Sequence, residues 1–364
     1  MKITAIELRR LRVPLRTPFR TALRSVDEVD DIVVRMHTDS GAIGYGSAPP
    51  TAAITGETHA TLIAAIRDHI APRLIGVEVA QRNHLGALID TALPGNGSAK
   101  AAVDIALHDL WGQLHQAPLY QLLGGGTPRL ETSLTISLGS VETMVEEARR
   151  ALARGFSALK IKVGKQVDAD IERVCAIDRV VAGRAALRLD ANQGWTAAQT
   201  VQVMQALGHA GVQIDLIEQP VPAADIEGMC HIAERVQVPL MADESAFDAR
   251  AALALIERRA ARIINVKLMK AGGIGNTLRI IDIAALHGIE CMLGCMLESG
   301  IAVTAAAHIA AAHARTITRI DLDAPSLCSR DPIDGGTRFD GPRITIGDGP
   351  GLGIRAIAGL EEIA

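Results

Sequence analysis

The chain has 364 residues, 48% of them hydrophobic and 21% charged, with a formal net charge of −4. This composition is typical of a well-packed protein with one large domain or two ordinary ones. Because the chain is slightly acidic and only 2% of its residues are aromatic, it lacks the basic surface and the stacking platforms of nucleic-acid-binding proteins, and we expect no nucleic acid partner.

The cysteines and the distribution of apolar residues indicate where in the cell the protein is located. The five cysteines are an odd number without a Cys-x-x-Cys pair, which argues against a disulfide framework or a zinc site and favours a reducing environment. The first ten residues carry charges where a signal peptide needs an apolar core, and no apolar run reaches the roughly 18 residues of a membrane span. We therefore expect a cytoplasmic protein without a membrane partner.

We predict that residues 1–124 form an α+β capping domain. Apolar alternation predicts strands and helical periodicity predicts helices, with strands at 3–13 and 31–36 and helices at 57–71, 81–93 and 100–114. Residues 14–28, between the two strands, have the composition of a loop. Three glycines at positions 124–126 end this part of the chain, and we place a domain boundary there.

Residues 125–325 have a different rhythm, in which short β-like runs alternate with helical stretches about every 25 to 30 residues. The runs are 132–138, 158–163, 186–189, 213–217, 240–242, 262–266, 290–293 and 316–320. This repetition predicts a TIM-like (β/α)7β barrel. A doubly wound open sheet is the alternative, although no Gly-x-Gly-x-x-Gly follows the first strand. We predict that the turn-rich residues 326–364 return to the capping domain and complete it.

Acidic residues end three consecutive predicted barrel strands, namely Asp190, Glu218 and Asp243. Since the catalytic residues of such barrels collect at the carboxyl ends of the strands, we expect these side chains to converge. Converging carboxylates repel one another unless a cation neutralises them, and a set of oxygen ligands suits Mg²⁺. For each residue taken singly, the alternative is a helix N-cap or a surface acid.

Lysines accompany these acids. Lys160 and Lys162 alternate along the second predicted strand, so they share one face with Cα atoms about 6.6 Å apart. In a closed site their repulsion would be roughly 2.5 kcal/mol, which would push one lysine toward neutrality and make it a usable base. Lys267 ends the sixth strand, across the barrel. The alternatives are a solvated strand face for the pair and a snorkelling side chain for Lys267.

This set of residues resembles the enolase superfamily, and within it the muconate-lactonising subgroup. The resemblance covers essentially the whole chain, and the residues that carry it are Lys160, Lys162, Asp190, Glu218, Asp243 and Lys267. It implies that Lys162 and Lys267 are the two catalytic bases and that Lys160 lowers the pKa of its neighbour and helps to neutralise a substrate carboxylate. It also implies that the three acids bind one Mg²⁺ per subunit, which would stabilise an enediolate.

Two aspartates at the end of the last predicted strand, Asp321 and Asp323, narrow the choice within the subgroup. Their spacing puts both carboxylates on one face, where they form an anionic pocket that suits a free ammonium group. The pair resembles the Asp-x-Asp signature of dipeptide epimerases, which binds the amino terminus of the dipeptide. The alternative is a surface turn, for which Asp and Pro are common residues.

The resemblance places substrate specificity in the capping domain. Arg24 is similar in position to the basic residue that pairs with a glutamate side chain in Ala-Glu epimerases. Phe19 and Ile54 are expected to line the same pocket, and Thr135 to hydrogen-bond the substrate. Glu298, at the end of the seventh strand, is expected to contact the substrate or to support groups that do, and not to bind the metal.

The expected activity is a Mg²⁺-dependent 1,1-proton transfer at the α-carbon of the C-terminal residue of a dipeptide, with L-Ala-L-Glu and L-Ala-D-Glu favoured. Such an isomerase would serve the recycling of cell-wall peptides, and we expect a homo-oligomer. The closest alternatives are an N-acylamino-acid racemase and a cycloisomerase of the same superfamily. A non-catalytic metal- or peptide-binding barrel and a Schiff-base aldolase are the alternatives from other classes.

Overall fold

The computed structural model describes residues 1–22 and 25–363. Its strands are β1 Ile3–Arg20, β2 Ser25–Thr38, β3 Ile43–Ala48, β4 Arg129–Glu131, β5 Leu134–Ile136, β6 Ala158–Lys162, β7 Ala186–Asp190, β8 Leu216–Glu218, β9 Leu240–Ala242, β10 Ile263–Val266, β11 Glu290–Gly294, β12 Ile317–Asp321, β13 Ile333–Gly335, β14 Thr337–Asp340, β15 Arg343–Ile346, β16 Ile354–Ile357 and β17 Leu360–Glu362.

Its helices are α1 His59–Ala64, α2 Ala71–Leu74, α3 Arg82–Asp90, α4 Gly97–Leu114, α5 Leu119–Leu122, α6 Val141–Ala153, α7 Val167–Val181, α8 Ala197–His209, α9 Ile226–Arg235, α10 Ala249–Glu257, α11 Leu268–Ala271, α12 Ile274–Leu286, α13 Gly300–Ala312 and α14 Ala324–Leu327. A π-helical segment, Ala65–Ile70, joins α1 to α2. Throughout residues 1–22 and 25–363, every helix is too short or too polar to cross a membrane.

Strands β5 to β12 form an eight-stranded parallel sheet in chain order. The backbone N–H of Ser133, just before β5, donates to the carbonyl of Ile320 in β12 at 3.1 Å, which joins the first strand to the last. Helices connect the successive strands and form the outer layer of the barrel, and most of the strand residues are buried. The predicted (β/α)7β barrel is confirmed.

The N-terminal part of the chain forms a four-stranded antiparallel sheet in the order β17-β1-β2-β3. The last strand comes from the C-terminal tail and pairs Leu360 with Leu11, so the tail completes the cap as predicted. Helix α4 packs closely on β3. A Cβ atom at Gly46 would lie 1.9 Å from the carbonyl oxygen of Ala102, so only glycine permits this approach.

The prediction of a loop at residues 14–28 is wrong for the part of it that the structure describes. Strands β1 and β2 continue to pair beyond the capping sheet, from Pro14 opposite Glu28 to Arg20 opposite Ser25, with an irregularity in the register between them. Two prolines in this segment are compatible with a strand at an edge or an irregularity, where their missing N–H is not needed. Residues 14–20 therefore form a strand because they pair with β2, although their composition is typical of a loop.

His308 in α13 gives a pH-dependent test of the packing between the barrel and the cap. The side chain is fully buried, its Nδ1 accepts a hydrogen bond from the backbone N–H of Tyr120 at 3.0 Å, and burial lowers the pKa of His308 to about 3. Below pH 6.5 the His308 imidazole is protonated in the unfolded chain and stays neutral in the folded chain. Stability is therefore full above pH 6.5 and is lost as the pH falls toward 3, by roughly 2 kcal/mol at pH 5.

Urea unfolding of the wild type and of H308Q at pH 7 and pH 5 checks this expectation. The difference in unfolding free energy between the two proteins should shift by roughly 2 kcal/mol in favour of H308Q at pH 5, because only the wild type carries this histidine. Parallel losses of stability in the two proteins would show that His308 takes up its proton normally in the folded state.

Candidate active site

The three acidic residues predicted to bind metal lie where the barrel strands end. Asp190 and Glu218 are the last residues of β7 and β8 and pair with each other across the two strands, and Asp243 follows β9. All three side chains are buried. Their placement follows from the parallel register, which brings the ends of consecutive strands to one edge of the barrel.

Lys160 and Lys162 lie in β6, and both are almost completely buried. The Lys160 ammonium contacts three carboxylates, with Nζ 2.8 Å from Glu218 Oε2, 2.8 Å from Asp321 Oδ2 and 3.1 Å from Asp190 Oδ2. Lys162 donates to Asp190 Oδ2 at 2.6 Å. The sequence therefore placed both lysines correctly on the inner face of one strand.

The expected repulsion does not control the charge of Lys160. Burial alone would lower its pKa, but Asp321, Glu218 and Asp190 offset that effect and raise the pKa well above its usual value. The predicted repulsion, which would push one lysine of the pair toward neutrality, left out the carboxylates that surround Lys160, so Lys160 is the charged member of the pair.

Lys267 lies on the opposite wall of the barrel. It follows β10, and three strands separate β10 from β6 in each direction around the eight-stranded sheet. Its Nζ donates to Asp243 Oδ2 at 2.7 Å. Burial lowers the pKa of Lys267, but the charges of Asp243, Glu218 and Glu244 together outweigh burial and raise it. Lys162 and Lys267 line the same cavity, so a molecule in that cavity would have one lysine on either side.

The chemistry of the acidic residues fits a divalent cation. Burial and the charge of Asp190 raise the pKa of Glu218 to about 8, and its Oε2 lies 2.8 Å from Lys160 Nζ without the geometry of a hydrogen bond. A cation would relieve the repulsion between the Glu218 and Asp190 carboxylates. Carboxylate oxygens are also the ligands that Mg²⁺ prefers. In the described part of the chain, no three acidic, histidine or cysteine side chains already converge as a complete ligand set. Lysine ammonium groups lie among the three carboxylates instead.

Asp321 and Asp323 lie at the end of β12, and both are buried, which excludes the surface turn. Asp321 is fully engaged, because Oδ1 accepts from Ser133 Oγ at 2.7 Å and Oδ2 accepts from Lys160 at 2.8 Å. Asp323 accepts the backbone N–H of Thr135 at 2.7 Å through Oδ2. Burial and the charge of Asp321 raise the pKa of Asp323 to about 6. Both aspartates line the cavity that contains the lysines.

The cavity brings together most of the side chains that the sequence singled out. Its lining consists of Phe19, Thr21, Ala53, Ile54, Thr135, Lys160, Lys162, Asn192, Lys267, Cys295, Met296, Leu297, Asp321, Asp323, Ala324 and Leu327. Glu298 is buried beside this lining, and its Oε1 accepts from the backbone N–H of Met296 at 3.1 Å. Arg24 lies outside the residues that the structure describes, so its predicted role stays a prediction.

Two polar residues of the site escaped the sequence analysis. Asn192 accepts a hydrogen bond from Lys162 at 3.0 Å, and Lys270 donates to Asp243. Both lie within three residues of a predicted site residue and beyond the end of a barrel strand. Their distance from the strand end was a usable signal, since side chains that follow a barrel strand also face the catalytic edge.

A parallel barrel with acids and lysines at the carboxyl ends of its strands, covered by an N-terminal cap, defines the enolase class of barrel proteins. Residues 143–357 match the family described as Enolase C-terminal domain-like, and residues 3–124 match the Mandelate racemase / muconate lactonizing enzyme N-terminal domain. The first match alone covers more than half of the chain. The chain therefore belongs to this family, and the resemblance found in the sequence is confirmed.

Relatives that are epimerases are similar to this chain over nearly their whole length. The chain is 46% identical over 357 residues to the L-Ala-D/L-Glu epimerase of Clostridium acetobutylicum, covering 98% of this chain and 99% of that protein. The fold is similar to a substrate-liganded complex of the L-Ala-D/L-Glu epimerase from Bacillus subtilis, with a TM-score of 0.97 and 44% identity over 98% of this chain and 100% of that one. A dipeptide epimerase from Enterococcus faecalis, complexed with Mg and L-Leu-L-Tyr, gives a TM-score of 0.94 and 41% identity over the same shares.

Proposed function

We propose that this protein is an isomerase, a Mg²⁺-dependent dipeptide epimerase that inverts the α-carbon of the C-terminal residue. The observation that carries the proposal is one cavity whose lining includes a lysine on each of two opposite walls and the two aspartates Asp321 and Asp323. The relatives named above are L-Ala-D/L-Glu and dipeptide epimerases, and the Mg and dipeptide bound in one of those complexes agree with the acids and the aspartate pair of this site.

In this proposal the site holds the dipeptide by its two charged ends. The substrate ammonium group would bind Asp323, which lines the cavity and whose Oδ2 accepts the backbone N–H of Thr135. The substrate carboxylate would lie near Lys160, beside Asp190, Glu218 and Asp243. These three acids would hold one Mg²⁺ per subunit, which when bound would offset the negative charge that develops as the α-proton leaves.

The two lysines would then move the proton. A neutral Lys162 or Lys267 takes the α-proton from its side of the substrate, and the ammonium group of the other lysine delivers a proton to the opposite face. The configuration inverts, and the charges of the two lysines are exchanged at the end of the turnover. Each lysine therefore acts as base in one direction and as acid in the other, which needs their placement on opposite walls.

L-Ala-L-Glu and L-Ala-D-Glu are the substrates that we favour. The names of the relatives from C. acetobutylicum and B. subtilis support this choice, as does the predicted pairing of Arg24 with a glutamate side chain. Glu298 and Thr135 are proposed to shape the cavity next to the substrate. We also propose that the protein is cytoplasmic and that it forms a homo-oligomer. Light scattering of the purified protein would check the oligomeric state.

A library experiment tests the reaction and its substrate class. L,L-dipeptides and matched N-acetyl amino acids are incubated with the protein and Mg²⁺ in D2O, and mass spectrometry detects the deuterium that epimerisation places at the α-carbon. We expect incorporation into dipeptides, with the L,D diastereomer formed alongside. Incorporation into N-acetyl amino acids alone would favour an N-acylamino-acid racemase. Binding without incorporation into either class would favour a non-catalytic barrel.

A further inference from the structure

Lys270 is buried more deeply than a lysine usually is, with a side-chain exposure of 1%. It lies in the single turn of α11, three residues after Lys267. Its ammonium group donates to Asp243 Oδ1 at 2.5 Å, to the Asp243 carbonyl at 2.6 Å and to the Asn265 carbonyl at 2.8 Å. These bonds use all three protons of the group, and Lys270 is not among the residues that line the cavity. It is therefore not available to a substrate.

These contacts fix the orientation of the Asp243 carboxylate. Lys267 donates to Asp243 Oδ2 at 2.7 Å, while Lys270 holds Oδ1, so two lysines from one turn of chain fix the rotation of the Asp243 side chain. The two carbonyl acceptors lie at the end of β9 and in β10. Lys270 therefore also ties together the ends of the two strands that carry Asp243 and Lys267.

Asn265 connects Lys270 to a second predicted metal ligand, Glu218. Its carbonyl accepts from Lys270, and its side-chain Nδ2 donates to Glu218 Oε1 at 2.6 Å. The cap presses on the same turn, because a Cβ atom at Gly97 of α4 would lie 2.5 Å from the Met269 carbonyl oxygen. The packing of α4 against the turn of α11 therefore helps to set the position of Lys270.

We propose that Lys270 is a positioning residue that orients the Asp243 carboxylate for Mg²⁺ and fixes its spacing from Lys267. The inference rests on the proposed function only in that it takes Asp243 as a metal ligand. Groups that orient metal ligands typically contribute 10- to 100-fold to metal affinity or activity. Removal of a positive charge beside the site would by itself strengthen cation binding, so a loss of affinity separates positioning from simple electrostatics.

The test measures Mg²⁺ binding by isothermal titration calorimetry, without substrate, for the full-length wild type, K270M, K270R and the control K165M. Lys165 is exposed, so its replacement removes the same charge without removing a buried ammonium group. We expect Mg²⁺ affinity to fall about 10- to 100-fold in K270M, with a smaller loss in K270R and none in K165M. Thermal unfolding without Mg²⁺ identifies variants that fail to fold. If K270M fails to fold, K270R is used in its place.

The outcomes separate this inference from the proposed function. Mg²⁺ affinity equal to or above that of the wild type in the folded variant would overturn the role of Lys270, even if the wild type epimerises dipeptides. A loss of affinity in K270M together with a wild type that exchanges no dipeptide α-proton would leave the role of Lys270 intact and remove the proposed function.

Discussion

Replacing Lys267 with alanine is expected to lower the rate of epimerisation by about 10³-fold or more, because general acid–base groups typically contribute 10²- to 10⁴-fold and inversion needs both lysines. Proton exchange should survive for one diastereomer. Lys162 would still take the α-proton on its own side and return deuterium from D2O to the same face, so L-Ala-L-Glu or L-Ala-D-Glu, but not both, would gain deuterium with retention of configuration.

The complementary variant K162A makes this result specific. It should also lose epimerisation, and it should exchange the diastereomer that K267A leaves untouched. Proton NMR of each pure diastereomer in D2O measures both properties, with K165M as the exposed-lysine control. Exchange of the same diastereomer by both variants, or normal epimerisation by either, would show that the two lysines do not act on opposite faces.

Replacing Asp323 with asparagine is expected to raise the KM for L-Ala-L-Glu by about 10²-fold, because breaking a buried pair of charges costs roughly 2–5 kcal/mol. The backbone N–H of Thr135 donates to Oδ2 of Asp323, so the amide oxygen of the asparagine would take that place. Its NH2 group, which cannot accept a hydrogen bond, would then face the substrate ammonium. The change acts mainly on binding, so kcat should fall less than KM rises.

Asp321 provides a contrast within the same pair. Its oxygens are occupied by Ser133 and Lys160, so D321N should disturb Lys160 and lower kcat as well. Steady-state kinetics of D323N, D321N and the exposed-site control D348N measure the difference. An unchanged KM in D323N would mean that the ammonium group of the substrate binds elsewhere.

The barrel and the position of the candidate site residues could be predicted because they depend on the order of the strands in the chain. Buried parallel strands are short apolar runs at regular spacing, and a residue at the end of such a run must lie at the catalytic edge. This is why the placement of Lys162, Asp190 and Lys267 at this edge could be predicted from the strands alone. The residue types at those ends then resembled one family, and the comparisons agree.

The contacts within the site depended on pairs that are distant in the chain. Lys160 meets Asp321 across 161 positions, so its charge could not be judged from the neighbouring Lys162. The β1–β2 extension has the same cause, since a strand with prolines is recognisable only once its partner is known. The position of Lys270 just beyond a strand end was visible in the sequence, but its contacts with Asp243, 27 positions away, were not.

Proton NMR of L-Ala-L-Glu in D2O, with the wild-type protein and Mg²⁺, tests the central claim most directly. The glutamyl α-proton signal should disappear, and the resonances of L-Ala-D-Glu should appear at a matching rate, while the alanyl α-proton stays unchanged. Persistence of the α-proton signal for this dipeptide and for a panel of other L,L-dipeptides would contradict the assignment of Lys162 and Lys267 as a pair of bases acting on a dipeptide.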